Sequence, residues 1–312
     1  MPKFHNILFV SHGIQDETKA LEQALKLTYE HQAQLSILII CPSFPDALKE
    51  YKTSYEESLI DKVNKAIKTA KSTLKPNKRK ISIHIEVDCG RTPDIRIIRH
   101  ILRHSHDLLI KGVETSESTK GFKALDMELL RKCPCALFLY RPFYHTSETI
   151  QIAVAIDPND EELAGQELAL RLLNISHSLA DNYAGNLNII SCWNFALENY
   201  LRDNVWINTS KKELDKLVSE EKKAHKISME ALIKRSKLNN EYHVELLKGR
   251  PEELIPIAIT DKKIDILIMG TVARTGISGF IIGNTAENIL QKIDCSLLAL
   301  KPQGFSSPVK AY

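Results

Sequence analysis

The chain has no apolar run of membrane-spanning length. Its longest, such as Leu35 to Ile40, are strand-sized, far short of the roughly 20 residues that cross a bilayer. Met1 to Asn6 shows no basic stretch followed by an apolar core, so no signal peptide is expected there. Charge of one sign is also missing. The 42 basic and 39 acidic side chains give a net charge of +3 and are mixed along the sequence, which leaves no uniform field to attract nucleic acid. The six cysteines, Cys41, Cys89, Cys133, Cys135, Cys192 and Cys295, are too few in 312 residues for a disulfide framework. Most sit in apolar, strand-like surroundings and read as reduced core residues. These absences lead to the expectation of a cytoplasmic protein with no membrane insertion and no direct nucleic-acid binding.

Familiar catalytic signatures are absent as well. The sequence contains no Gly-x-Ser-x-Gly elbow, no Walker loop with its lysine, no Ser-Gly-Gly-x-Asp-Ser loop and no His-x-Gly-His motif. No residue stands out as nucleophile or general base, so any ATP hydrolysis is expected to be slow and incidental.

What the sequence does contain is a duplication. With 43% hydrophobic and 26% charged residues over 312 positions, the composition suits two globular cores of about 150 residues each. Gly90-Arg91-Thr92-Pro93-Asp94-Ile95 is echoed by Gly249-Arg250-Pro251-Glu252-Glu253-Leu254, each after a strand-like run and before a helix-like one. His106-Asp107-Leu108-Leu109-Ile110-Lys111-Gly112 matches Ile264-Asp265-Ile266-Leu267-Ile268-Met269-Gly270, an aspartate followed by a buried strand and a glycine. Leu129 to Cys135 matches Ile289 to Cys295. Ser11 pairs with Asp157 in this alignment but Gly112 with Gly270, so the second half has gained a dozen residues, assigned to Asn182–Gly185 and Trp193–Ser210. That insertion is a candidate lid or partner surface, or simple surface decoration.

Strands are expected near 6–10, 35–41, 81–88, 107–111 and 135–140, then near 150–156, 186–191, 242–247, 264–268 and 295–300. Between them, Leu214, Leu217, Ala224, Ile227 and Ala231 recur at helical spacing and mark an amphipathic crossover. Strand and helix alternation of this kind gives a parallel, doubly wound sheet whose ligand site lies at the carboxyl ends of the strands.

The most informative stretch runs from Met269 to Asn288. A buried strand stops at Gly270, a glycine-containing loop follows, and Gly283-Asn284-Thr285 opens the next helix. Free amides at such a helix start, with glycine removing the Cβ, let an anion approach closely. This stretch resembles the universal stress protein signature: glycine, two residues, glycine, nine residues, glycine, then serine or threonine. Gly270 and Gly283 fall on the first and third glycines. Ala273 stands for the second, Asn284 for the hydroxyl residue, and Thr285 offers a hydroxyl one position later.

The resemblance extends over both halves and is closest to the tandem UspE-like branch. It implies two tandem doubly wound parallel five-stranded sheets, Rossmann-like and similar to the adenine nucleotide alpha hydrolases, forming an internal pseudo-dimer. The expected domains are 1–143 and 149–304, with a tail at 305–312. By the same resemblance, Asp157 contacts the adenosine end of ATP, while Gly270, Ala273, Gly283, Asn284 and Thr285 contact phosphate and ribose, with Mg²⁺ as a companion ion. Arg274 and Lys301 are candidates to neutralise phosphate. The methyl of Ala273 counts against tight ATP binding. The first half has Ser11 where Asp157 stands, and Glu114, Glu117 and Asp126 where phosphate would lie, so no ATP is expected there.

The family's pairing through final strands points to Leu137–Arg141 against Leu297–Lys301, and a further homodimer of the whole chain is plausible. The leading expectation is a stress-response protein that senses an adenine nucleotide through its second half. The alternatives are a nucleotide-independent scaffold for unknown protein partners and a holder of a metabolite or lipid-like ligand. His100, His104 and His106 read as ordinary surface histidines, although imidazoles four apart on a helix can bind zinc. Cys133-Pro134-Cys135 lacks common redox and metal spacing and reads as packing.

Overall fold

The structure, a computed structural model, describes residues 3–74, 81–114, 120–143, 149–203, 210–236, 238, 241–272 and 282–312. The first half runs β1 (Asn6–Ser11), α1 (Thr18–His31), β2 (Gln34–Cys41), α2 (Lys52–Thr73), β3 (Ile83–Cys89), α3 (Pro93–His104), β4 (Leu108–Gly112), α4 (Ala124–Lys132) and β5 (Ala136–Tyr140). The second runs β6 (Gln151–Ala155), α5 (Leu163–Tyr183), β7 (Asn186–Trp193), α6 (Glu198–Asp203), α7 (Lys211–Ser236), β8 (Tyr242–Lys248), α8 (Pro251–Asp261), β9 (Ile266–Gly270), α9 (Asn284–Leu290) and β10 (Ser296–Leu300). Among the described residues, no helix is long and apolar enough to cross a membrane.

The expected pair of five-stranded sheets is a single sheet of ten strands, ordered β3-β2-β1-β4-β5-β10-β9-β6-β7-β8. Among the described strands, pairing is parallel within each half and antiparallel at the junction, where Leu297 faces Leu139, Leu298 faces Phe138 and Ala299 faces Leu137. The junction is therefore made by the segments named from the sequence. Its cause is the burial of β5 and β10: both are apolar and buried throughout, so leaving their backbone groups unpaired would be costly. Arg141 N donates to Ser296 Oγ at 2.9 Å, which in turn lies 3.1 Å from Arg141 O, and this exchange closes the end of the junction.

Both faces of the sheet are covered, as the near-continuous apolar strands require. One core combines Ile7, Phe9, Ile37 and Ile110 with Val154, Ile268 and Leu298 under α1, α2, α5 and α7. The other combines Leu8, Leu38 and Leu109 with Ala153, Leu267 and Leu297 under α3, α4, α8 and α9. Each core runs through both halves. On the first face α1 meets α5: Asn182 Nδ2 donates to Glu30 Oε2 at 2.9 Å, and the Lys26 ammonium sits 3.6 Å from the centre of the Tyr183 ring.

Strand register fixes which residues are equivalent. Ile7 pairs with Leu108 and Ile152 with Ile266, so Ile7 and Ile152 correspond. Counting on from them puts His12, not Ser11, in the place of Asp157. The repeated aspartates are structural: Asp107 Oδ1 accepts from Asn6 N at 3.0 Å and Asp265 Oδ2 from Gln151 N at 2.8 Å, tying the start of each first strand to the fourth.

Several expectations change. Extra length in the second half lies partly in α5 itself, 21 residues against 14 in α1. The buried face of α7 is Leu214, His225, Met229, Leu232, Ile233 and Ser236; of the predicted stripe only Leu214 is on it, and Leu217 and Ile227 are exposed. Cys41 and Cys89 are not reduced core thiols but form a disulfide, because parallel register places them side by side on β2 and β3.

Candidate functional site

In each half the strand order reverses between the first and fourth strands. For the second half the switch lies between β6 and β9, neighbours in the sheet whose following connections leave in opposite directions. Side chains beyond the carboxyl ends of these strands diverge and leave a crevice. Here it is a cleft of about 450 Å³ lined by Ile156, Asp157, Cys192, Met269, Gly270 and Val272, with Pro251 and Ile255 from α8 and Gly283, Asn284 and Thr285 from the start of α9. That volume lies within the ~300–1,000 Å³ usual for small-molecule sites.

Five of the residues singled out from the sequence thus converge: Asp157, Gly270, Gly283, Asn284 and Thr285. Ala273 and Arg274 lie outside the described residues. The loop that carries them leaves and returns through an antiparallel bridge between Val272 and Ile282, and Gly283 N donates to Thr271 O at 3.1 Å. This closure sets Gly283 as the N-cap of α9 beside Gly270. With seven residues, α9 is short, so it offers the cleft free amides more than a macrodipole. A Cβ at Gly270 would meet Leu168 Cδ2 at 2.9 Å, so this glycine also lets α5 close onto the sheet.

Asp157 lies two residues beyond β6 in an Asx turn, with Asn159 N donating to Asp157 Oδ1 at 2.9 Å. The turn is anchored from α7: Asn159 Nδ2 lies 3.1 Å from His225 Nδ1, and His225 Nε2 lies 2.8 Å from Ser191 Oγ. Burial holds the His225 imidazole below its ordinary range, with Asp157 opposing. Sequence reasoning missed His225 because a polar residue on the buried face of a charged helix carries no periodic signal. Cys192 is also new to the site, and burial pushes its thiol up to about 12, which leaves it protonated and unreactive.

Chemically the lining combines apolar side chains, Ile156, Met269 and Ile255, with polar groups, the amides at the start of α9 and the Asn284 and Thr285 side chains. It contains one carboxylate and, among the described residues lining it, no cation. Lys301 is not part of it. Its ammonium donates to Arg131 O at 2.9 Å and lies over the Phe305 ring, and burial lowers its pKa to about 8.

The equivalent place in the first half is filled. Lys111 stands where Met269 does, fully buried, with Nζ 3.0 Å from both Asp126 Oδ1 and Gly112 O. Helix α4 is N-capped by Lys123 as α9 is by Gly283, so Asp126 corresponds to Ala286. Burial raises the Asp126 carboxyl, opposed by Lys111. Around the pair, His12 Nε2 lies 3.8 Å from Glu114 Oε1, and Ser11 Oγ bonds Glu17. Asp126 was expected to repel phosphate; it is instead inaccessible and paired. Glu117 lies outside the described residues. Cys133 and Cys135, with sulfurs 3.5 Å apart, pack beneath the junction, and Cys135 occupies the position of Cys295 at the start of the last strand.

Residues 151–301 match the universal stress protein family. Along almost its full length the chain is also similar to the universal stress protein E homolog of Haemophilus influenzae, 28% identical over 96% of this chain and 98% of that one. Residues 151–301 belong to the universal stress protein family, and the similarity to its E members runs the length of the chain. Universal stress protein E of Photorhabdus laumondii subsp. laumondii is 26% identical over 100% of this chain and 99% of its own. A universal stress protein from Archaeoglobus fulgidus DSM 4304 shares the fold, with a TM-score of 0.64, 15% identity, and coverage of 95% of this chain and 98% of that one. The tandem universal stress protein layout and its Rossmann-like α/β fold thus extend through both halves.

Proposed function

We propose that the second half of this universal stress protein binds an adenine nucleotide, ATP with Mg²⁺, in the cleft between β6 and β9, and that the first half is its permanent structural partner in a stress response. The observation that carries this reading is the convergence of Asp157, Gly270, Gly283, Asn284 and Thr285 on one cleft at the switch point. A nucleotide suits this mixed lining. Base and ribose would lie against Ile156, Met269 and Asp157, and phosphates would take the amides and hydroxyl at Gly283–Thr285. With no cation among the described lining residues, Mg²⁺ or Arg274 must offset the phosphate charge. Among the described lining residues the one thiol, Cys192, is held protonated, and the reading is of a sensor rather than a turnover enzyme.

Isothermal titration of the full chain with ATP and Mg²⁺ tests it. The full chain is required because the halves share both cores and excision would expose β10. One bound nucleotide per chain is the expected result; no heat at millimolar ATP would sink the proposal and leave the scaffold reading, which the plugged first half favours.

A further inference from the structure

At the outer edge of the first half, β3 and α3 meet face to face in matched register. His84, Glu86 and Asp88 alternate on one face of the strand, and Arg96, His100 and His104 are spaced four apart on the helix. Two strand residues advance about 6.6 Å and four helical residues about 6.0 Å, so the two rows stay in step. Arg96 Nε donates to Asp88 Oδ2 at 2.9 Å, and one step along, His100 Nε2 lies 3.3 Å from Glu86 Oε2. The next step brings in His104, whose ring centre is 4.4 Å from that of His100, while His106 stacks behind His100 at 5.2 Å after the left-handed turn at Ser105.

We propose that Glu86, His100 and His104 form a binding site for a divalent transition metal of the zinc class. One donor atom from each lies within 4.8 Å of the other two. Donors held 2.0–2.1 Å from a tetrahedral ion are about 3.3 Å apart, the separation already present between His100 and Glu86. Closing the remaining distance needs rotation only of the exposed Glu86 and His104 side chains, which also give an ion its way in. His100 itself is held by burial, at 8% exposed, and among the described residues its Nδ1 has no hydrogen-bond partner. Of the three expected surface histidines only His104 is exposed; His100 and His106 are buried.

Two imidazoles and a single carboxylate select zinc-like ions over Ca²⁺ or Mg²⁺, which require more oxygen ligands. A fourth position is left for water or for His84, which neighbours Glu86 on the same strand face. A bound ion would clip the edge strand β3 to α3, far from the β6–β9 cleft.

The test is calorimetric titration of the tag-free, metal-stripped full chain with Zn²⁺, with Mg²⁺ in parallel. One Zn²⁺ per chain is expected. His104→Ala, at an exposed position that leaves the fold intact by circular dichroism, should weaken binding by more than about 100-fold, beyond the ~10–100-fold that loss of a second-sphere partner costs. Glu86→Gln should weaken it by at least about tenfold. Absence of Zn²⁺ binding, equal binding of Mg²⁺, or Zn²⁺ binding unchanged by His104→Ala, as for an ion held by the cysteines, would each overturn the proposal.

Discussion

Replacing Lys111 by methionine, the residue at the equivalent position of the second half, tests whether a buried ion pair has taken the place of a ligand. Lys111 and Asp126 are both 0% exposed and 3.0 Å apart. Lys111→Met therefore strands a carboxylate that water cannot reach. Breaking such a pair costs about 3–5 kcal/mol, a large share of the ~5–15 kcal/mol that holds a typical domain folded. Asp126→Ala should cost less, because the ammonium keeps Gly112 O at 3.0 Å and the Glu114 carboxylate at 4.0 Å. The double variant Lys111→Met/Asp126→Ala recreates the Met269 and Ala286 pairing of the second half. It should return to within about 1 kcal/mol of the parent or exceed it, since apolar replacement of buried pairs is neutral or stabilising by up to ~4 kcal/mol. Urea unfolding followed by far-ultraviolet circular dichroism is the appropriate assay, because both tryptophans, Trp193 and Trp206, lie in the second half. The penalty of Lys111→Met should also shrink as pH falls, because burial already raises the Asp126 carboxyl and loss of the ammonium raises it further, so protonation relieves the stranded charge. Single variants that each lose less than about 1 kcal/mol, or a double variant whose loss is the sum of the singles, would refute the argument.

Three further outcomes follow from the same structure. Burial lifts the Glu30 carboxyl to about 7 against the opposing Lys26. Because the folded pKa is raised above the unfolded value, this group favours the fold below about pH 4.5 and the benefit fades as pH climbs through about 7. Glu30→Gln, which keeps an acceptor for Asn182, should be close to neutral at pH 5 and stabilising by up to ~3 kcal/mol at pH 8; equal effects at the two pH values would rule out the assignment. In the cleft, Asp157→Asn keeps an acceptor for Asn159 N but removes the charge, and calorimetry should show ATP affinity falling by about tenfold or more, whereas Ala273→Gly should raise it. Thiol titration of the unfolded chain without reductant should find the four cysteines outside the Cys41–Cys89 bond. Reduction should lower stability by at most about 4 kcal/mol for a loop of 48 residues, and six titratable thiols before reduction would contradict the bond.

Most of the fold was legible because parallel strands covered on both faces are written as unbroken aliphatic runs. All ten strands fall within two residues of where Leu35–Ile40, Leu108–Ile110 and their counterparts place them. The junction was legible through the family resemblance. What failed were properties set by register and burial, which one-dimensional patterns do not encode. Cys41 and Cys89 are far apart in sequence and meet only because β2 and β3 pair in parallel. Ser11 was equated with Asp157 one residue out of step, since both residues end an apolar run and only hydrogen-bond pairing distinguishes Ile156 from Asp157. The phase of α7 was misread because His225 and Ser236 hold buried positions that apolar periodicity skips. Asp126 is the reverse case: a carboxylate that looks like a surface charge until Lys111 is placed beside it.

Fusion of the halves explains how these departures coexist with an intact cleft. In a symmetric dimer of single-domain chains, a lysine at the end of the fourth strand would plug both sites at once, because the copies share a sequence. Once the copies are joined, one half can exchange its cleft for a Lys111–Asp126 plug while the other keeps Met269 and Ala286, and the β5–β10 pairing no longer depends on concentration. The plugged half still contributes to the open one. It satisfies the edge of β10, whose other neighbour β9 ends at Gly270 in the cleft. It also reaches α9 directly, through the ion pair of Arg131 on α4 with Glu287, which lies on the first turn of the helix that Gly283 caps. The start of α9 is therefore braced by charge against α4, so the plugged half supports one wall of the cleft in the other.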